Sequence, residues 1–111
     1  MTTIVADAII ESKYAENAQT TQYTSTNITT VIDAFTVSNN TGSNATLAVN
    51  LVPSGGAAGA SNLVLSKTIL AGKSYSCPEV VGQVLASGDF ISLIAGTASA
   101  LVIRASGRKI S

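Results

Sequence analysis

Hydrophobic and polar positions alternate along most of this chain with a period of two, the spacing of a strand with one buried face. Thr46–Val52 shows it cleanly: Leu47, Val49 and Leu51 point one way while Thr46, Ala48 and Asn50 point the other. Ile28–Asn39 carries Val31, Phe35 and Val37 at even spacings, and Leu101, Ile103 and Ala105 share one face of a last strand. Ile4–Glu11, Leu63–Leu70, Ser74–Cys77 and Phe90–Ala95 are further runs of extended character. Between them lie clusters that turn a chain: Ser38–Asn44, Ala71-Gly72-Lys73, Ser87-Gly88-Asp89 and Gly96-Thr97. Lys13–Thr26 is polar and reads as a connection. Pro53–Asn62 holds three glycines and a proline in ten residues and reads as a long, mobile loop.

One stretch departs from this period. In Pro78–Leu85, Val80 and Val84 are spaced by four, as are Val81 and Leu85, with Pro at a first-turn position and Glu79 at the positive end of the dipole. This predicts one short helical turn near 78–85, weakened by Gly82. Seven or eight short strands at intervals of about ten residues predict an all-β sandwich or barrel, of which an antiparallel sandwich of about eight strands is the expected form. The length, 111 residues, fits one domain over 1–111, with 1–16 as an N-terminal interaction strand or arm.

Composition narrows the function. Only 11% of residues are charged, against about 25% in ordinary chains, and six Lys+Arg balance six Asp+Glu. Nucleic-acid binding needs a basic face, and none can form here. The polar surface is built from 14 Ser, 13 Thr and 7 Asn. A net charge near zero promotes association, so the chain is expected to pack against something. The longest apolar stretches fall far short of the roughly 20 residues that span a membrane. Met1–Ile10 lacks a basic n-region and is interrupted by Asp7, unlike a secretory signal.

Candidate chemistry is sparse. There is no His and one Cys, Cys77, which reads as a small buried apolar residue. If Ile4–Glu11 is a strand, Asp7 and Glu11 lie about 13 Å apart, too far for a glycosidase pair. Asp33, in an apolar strand, is expected to face solvent or to pair with a residue such as Arg104. Gly55–Gly59 lacks the Lys-Ser/Thr of a phosphate loop. No cofactor or metal is expected, and the chain reads as a non-enzyme.

Three stretches carry a resemblance: Leu51-Val52-Pro53-Ser54-Gly55-Gly56-Ala57-Ala58-Gly59 with Asn62-Leu63, then Leu70-Ala71-Gly72-Lys73-Ser74-Tyr75, then Leu85-Ala86-Ser87-Gly88-Asp89-Phe90-Ile91. Over roughly residues 28–106 the chain resembles small jelly-roll virion proteins of tailed bacteriophages, above all the capsid decoration, or cement, proteins of short-tailed phages. The resemblance implies a jelly roll on the outer capsid surface of a virion. It would act as a homodimer or homotrimer that staples neighbouring major capsid protein subunits. Residues 1–26 lie outside it. An apolar segment, Ile4, Val5, Ile9 and Ile10, is expected to pair with a neighbouring subunit, and the loop at Pro53, Gly55 and Gly56 to order on docking. The alternative is a glycan- or receptor-binding module of a phage tail or neck. Against it, such sites stack sugar on exposed aromatics, and there is no Trp, with only Tyr14, Tyr23 and Tyr75 available.

Overall fold

The structure, a computed structural model, describes residues 2–111. Its strands are β1 (Ile4–Tyr14), β2 (Thr20–Thr24), β3 (Thr29–Asn39), β4 (Ala45–Val52), β5 (Leu63–Ile69), β6 (Ser74–Tyr75), β7 (Val84–Leu85), β8 (Phe90–Ala95) and β9 (Leu101–Ile110). One sheet has the order β1-β9-β3-β6, with β7 also on β3, and the other the order β2-β8-β4-β5. Every pairing is antiparallel. Apart from β4–β5 and β6–β7, every connection crosses from one sheet to the other. That is a jelly roll, the double-sheet Greek-key solution; the alternation and turn spacing predict its antiparallel strands, and the resemblance implies the jelly roll.

The core sits between the sheets. Ile32, Phe35 and Val37 of β3 and Leu101 and Ile103 of β9 meet Leu47 and Val49 of β4 and Ile91 and Leu93 of β8, all essentially without exposure. Small polar side chains close the two ends. Ser25 Oγ donates to the Ile28 carbonyl at 2.7 Å and lies 2.9 Å from Thr30 Oγ1, which lies 2.7 Å from Tyr23 Oη. Asn39 Nδ2 donates to the carbonyls of Ser43 and Ile69, and its Oδ1 accepts from Thr41. Among the described residues no buried side-chain nitrogen or oxygen lacks a partner, the condition a buried polar group must meet.

Four expectations are corrected. Within the polar connection Lys13–Thr26 lies strand β2, paired with β8; its edge position leaves only Tyr23 packed on the core, so no apolar alternation marks it. The short helical turn expected near 78–85 is instead a non-helical turn, in which Val81 N donates to the Cys77 carbonyl at 3.2 Å; the one 3-10 turn among the described residues is Ala60–Asn62. Gly82, at φ +88, ends it, and Val84–Leu85 extends as β7 against Val31 and Thr30. The loop Pro53–Asn62 is knitted rather than loose: Asn62 Oδ1 accepts from Asn50 Nδ2 at 2.8 Å and from Gly59 N at 3.1 Å, and its Nδ2 donates to the Ala57 carbonyl at 2.9 Å. Ser54 N adds a bond to Asp89 Oδ1 at 3.0 Å. Finally, Asp33 pairs with Arg108, not Arg104. Arg108 Nε donates to both carboxylate oxygens at 3.1 Å, because a bulge between Ile32 and Ala34 turns Asp33 toward it.

Candidate assembly interface

The long strand β1 forms one edge of the five-stranded sheet, and among the described residues no strand pairs with its outer side. Exposed strand edges offer unpaired backbone donors and acceptors to other chains, and most are blunted by bulges or charges. Here the blunting is uneven. The register runs unbroken from Ile4 opposite Ile110 to Asp7 opposite Gly107, and then breaks twice, between Asp7 and Ile10 and between Ile10 and Lys13. The first residues are therefore flat and open, and the remainder is bulged.

The direction of each backbone group follows from the ladder. Thr3 N donates to the Ser111 carbonyl at 2.8 Å and Ser111 N returns a bond to Thr3 at 2.9 Å, so Thr3 faces β9. In an antiparallel pair such residues alternate. Val5 and Asp7 therefore also face β9, while the N–H and C=O groups of Ile4 and Ala6 point outward. The next outward donor, Ala8 N, is capped by Asp7 Oδ1 at 2.9 Å. Asp7 Oδ2 in turn accepts from Lys109 Nζ at 2.8 Å, and that bond holds the Asp7 carboxyl below its ordinary value. The Lys109 ammonium also lies 5.8 Å from the centre of the Tyr23 ring. The open segment thus ends at a fixed, charged stop.

The residues expected to form the contact separate into groups. Ile4 and Val5 are exposed, at 61% and 50%. Ile9 and Ile10 are not: at 7% and 3% exposure they are core residues, because the bulge after Asp7 turns two consecutive side chains inward, as a strict alternation would not. Pro53, Gly55 and Gly56 are exposed in the loop after β4. Gly55 takes φ +79 there, a conformation glycine adopts without steric cost. Val52 lies opposite Phe90 and Phe90 opposite Thr24; Thr29 lies opposite Ile110 and Ile110 opposite Ile4. Since only residues 25–28 separate β2 from β3, the loop and the open start of β1 occupy the same end of the sandwich, on opposite sides of it. Ala6, Asp7 and Lys109 were not read from the sequence as contact residues; the apolar run Ile4-Val5-Ala6 closed by Asp7 is the signal for the first two, but the bulges that give it meaning leave no mark in composition.

Elsewhere the surface offers little reactive chemistry. A groove of about 340 Å³ on the outer face of the five-stranded sheet is lined by Ala34, Thr36, Ser76, Pro78 and Val81, and its one ionisable lining group, Asp33, is engaged by Arg108. Cys77 is buried, and burial pushes its thiol up to about 12. Lys67 Nζ lies 4.6 Å from the centre of the Tyr75 ring, whose hydroxyl donates to Glu79 at 2.8 and 2.9 Å. Tyr14 is 53% exposed.

No protein-family model and no curated protein sequence matches the chain. Two solved structures resemble it. One is of Bacillus endospore appendages, which form a novel family of disulfide-linked pili: 18% identity, TM-score 0.57, covering 98% of this chain and 88% of that one. The other is of infectious bursal disease virus, Gx strain: 9% identity, TM-score 0.43, covering 98% of this chain and 32% of that one, a likeness too low to carry an argument. The first supports the fold, and at that identity the fold alone.

Proposed function

We propose that this chain is a non-enzymatic structural subunit that joins neighbouring subunits through the open start of β1, and that its specific role is that of a phage capsid decoration protein. It would bind the outer surface of a capsid and staple neighbouring major capsid subunits against the pressure of packaged DNA. The observation that carries the reading is the unblunted edge at Ile4–Ala6, since strand addition uses backbone bonds for affinity and flanking side chains for specificity. Low charge supports it: copies crowded on a lattice repel one another weakly when six cations balance six anions. The resemblance of residues 28–106 to decoration proteins supplies the shell as the partner.

Cryo-electron microscopy of particles assembled with and without the chain tests this. Extra density on the outer lattice, present only with the chain, is the expected result. Density confined to the tail or neck, or failure to co-purify with capsids, overturns the decoration role.

The jelly roll shared with a pilus-forming protein favours a second reading, a fibre built of copies of this chain. Those pili are disulfide-linked, whereas Cys77, the single cysteine, is buried, so a fibre here would rest on backbone pairing. Negative-stain microscopy of the purified protein separates the readings: filaments in the absence of capsids favour the fibre.

A further inference from the structure

We propose that the open start of β1 pairs antiparallel with the same segment of a second copy, about a two-fold axis at Val5, so that two five-stranded sheets become one continuous sheet. This names the partner of the edge described above and rests on that reading.

The edge is self-complementary. Its outward groups are the N–H and C=O of Ile4 and of Ala6, two residues apart. With the axis at Val5, Ile4 of one copy faces Ala6 of the other, and the symmetric pair repeats the match. Each pair exchanges two N–H···O=C bonds, so all four donor and acceptor sets within the strand's flat part are used. An isologous contact of this kind closes after two subunits.

Side chains agree with that register. The larger Ile4 lies across from the small Ala6, and Val5 meets Val5 in a non-hydrogen-bonded pair, the closer of the two pair types. Asp7 falls opposite Thr3, so no like charges face each other, a juxtaposition that would destabilise a cross-strand pair. Moving the axis one residue toward Asp7 would match Ile4 with Ala8, whose N–H is held by the Asp7 carboxylate and which sits in the bulge. The pairing would also return Ile4 and Val5, exposed at 61% and 50%, to partial cover.

Cysteine scanning in the full chain tests both contact and register. Across the axis the two residues at position 5 would have Cα atoms about 4.5 Å apart, within the roughly 4.4–6.8 Å that a disulfide bridges. Under mild oxidation Val5→Cys is expected to give a covalent dimer, while Ile4→Cys and Ala6→Cys do not; buried Cys77 does not compete. Ile4→Cys crosslinking in place of Val5→Cys overturns the register. In sedimentation velocity over a concentration series the unmodified chain is expected to dimerise and Ala6→Pro to remain monomeric. That proline removes an outward N–H but no bond to β9, and edge strands accept proline there, so its circular dichroism is expected to match the parent. A parent chain that stays monomeric and gives no Val5→Cys dimer overturns the proposal, even if it binds capsids. A dimer that binds no capsid sustains it and removes the decoration role instead.

Discussion

At Cys77 the surroundings decide what the side chain can do. The residue has no exposure, and it sits at φ +49, in the left-handed region, at the corner where β6 leads into the turn at Pro78. Burial is the larger reason its thiol is pushed up to about 12, with the nearby Glu79 charge adding to it. The thiolate is the reactive form, so at pH 8 a native sample is expected to leave a disulfide-exchange reagent unreacted, and a denatured sample to titrate one thiol per chain. Native reaction at the rate of free cysteine would show that the corner opens. The same logic holds for Asp33, whose carboxylate is engaged by Arg108 rather than free for chemistry.

Among the elements, β1 and β9 depend on one glycine. Gly107 lies opposite Ile32 on one side and Asp7 on the other, and a Cβ there would collide with the Val31 carbonyl, a backbone atom that cannot swing away. Ile9 is not the obstacle, since its Cδ1 lies at ordinary contact distance, 3.5 Å, from the site of that absent carbon. Gly107→Ala is therefore expected to destabilise the fold by about 1–3 kcal/mol, the usual cost of overpacking, read as a lower urea midpoint. An unchanged midpoint would mean that β3 and β9 shift apart freely. The consecutive burial of Ile9 and Ile10 has a separate origin, since a bulge rather than a strict alternation delivers both to the core.

For the molecule as a whole, acid is the expected route to instability. Lys109 holds Asp7 below its ordinary value of 3.8, and the Tyr75 hydroxyl holds Glu79 below 4.5. Burial alone would raise Glu16, but the bonds from Lys13 and Gln22 together reverse it, leaving it below 4.5 as well. Groups with depressed native values contribute stability that is fully present above the unfolded values and is lost as pH falls through the native ones. Urea midpoints are thus expected to be level at neutral pH and to decline below about pH 4. Asp7→Asn should remove part of that decline, and a profile flat down to pH 2 would contradict these pairings. Asp7 and Glu79 are exposed and Glu16 is only partly buried, so the effect is expected to be modest.

The sequence by itself determined the fold class and most of the strands, because a half-buried strand writes its burial as an alternation that a single row shows, as Leu47, Val49, Ile103 and Ala105 do. It also determined where the chain turns, through Ser, Asn and Gly clusters that bond their own neighbours, as Thr41 does to Asn39 Oδ1, though the same Asn39 also reaches Ile69. What needed the third dimension was every feature set by a partner far along the chain. Strand β2 is mostly polar and exists because β8 offers it a ladder. The loop at Pro53–Asn62 is fixed by Asn50 and Asp89, which composition does not announce. The open edge at Ile4–Ala6 is the same case. Whether an apolar run is core, as Ile9 and Ile10 are, or free surface, as Ile4 and Val5 are, is decided by where the register against β9 breaks, and register belongs to the pair of strands rather than to either one.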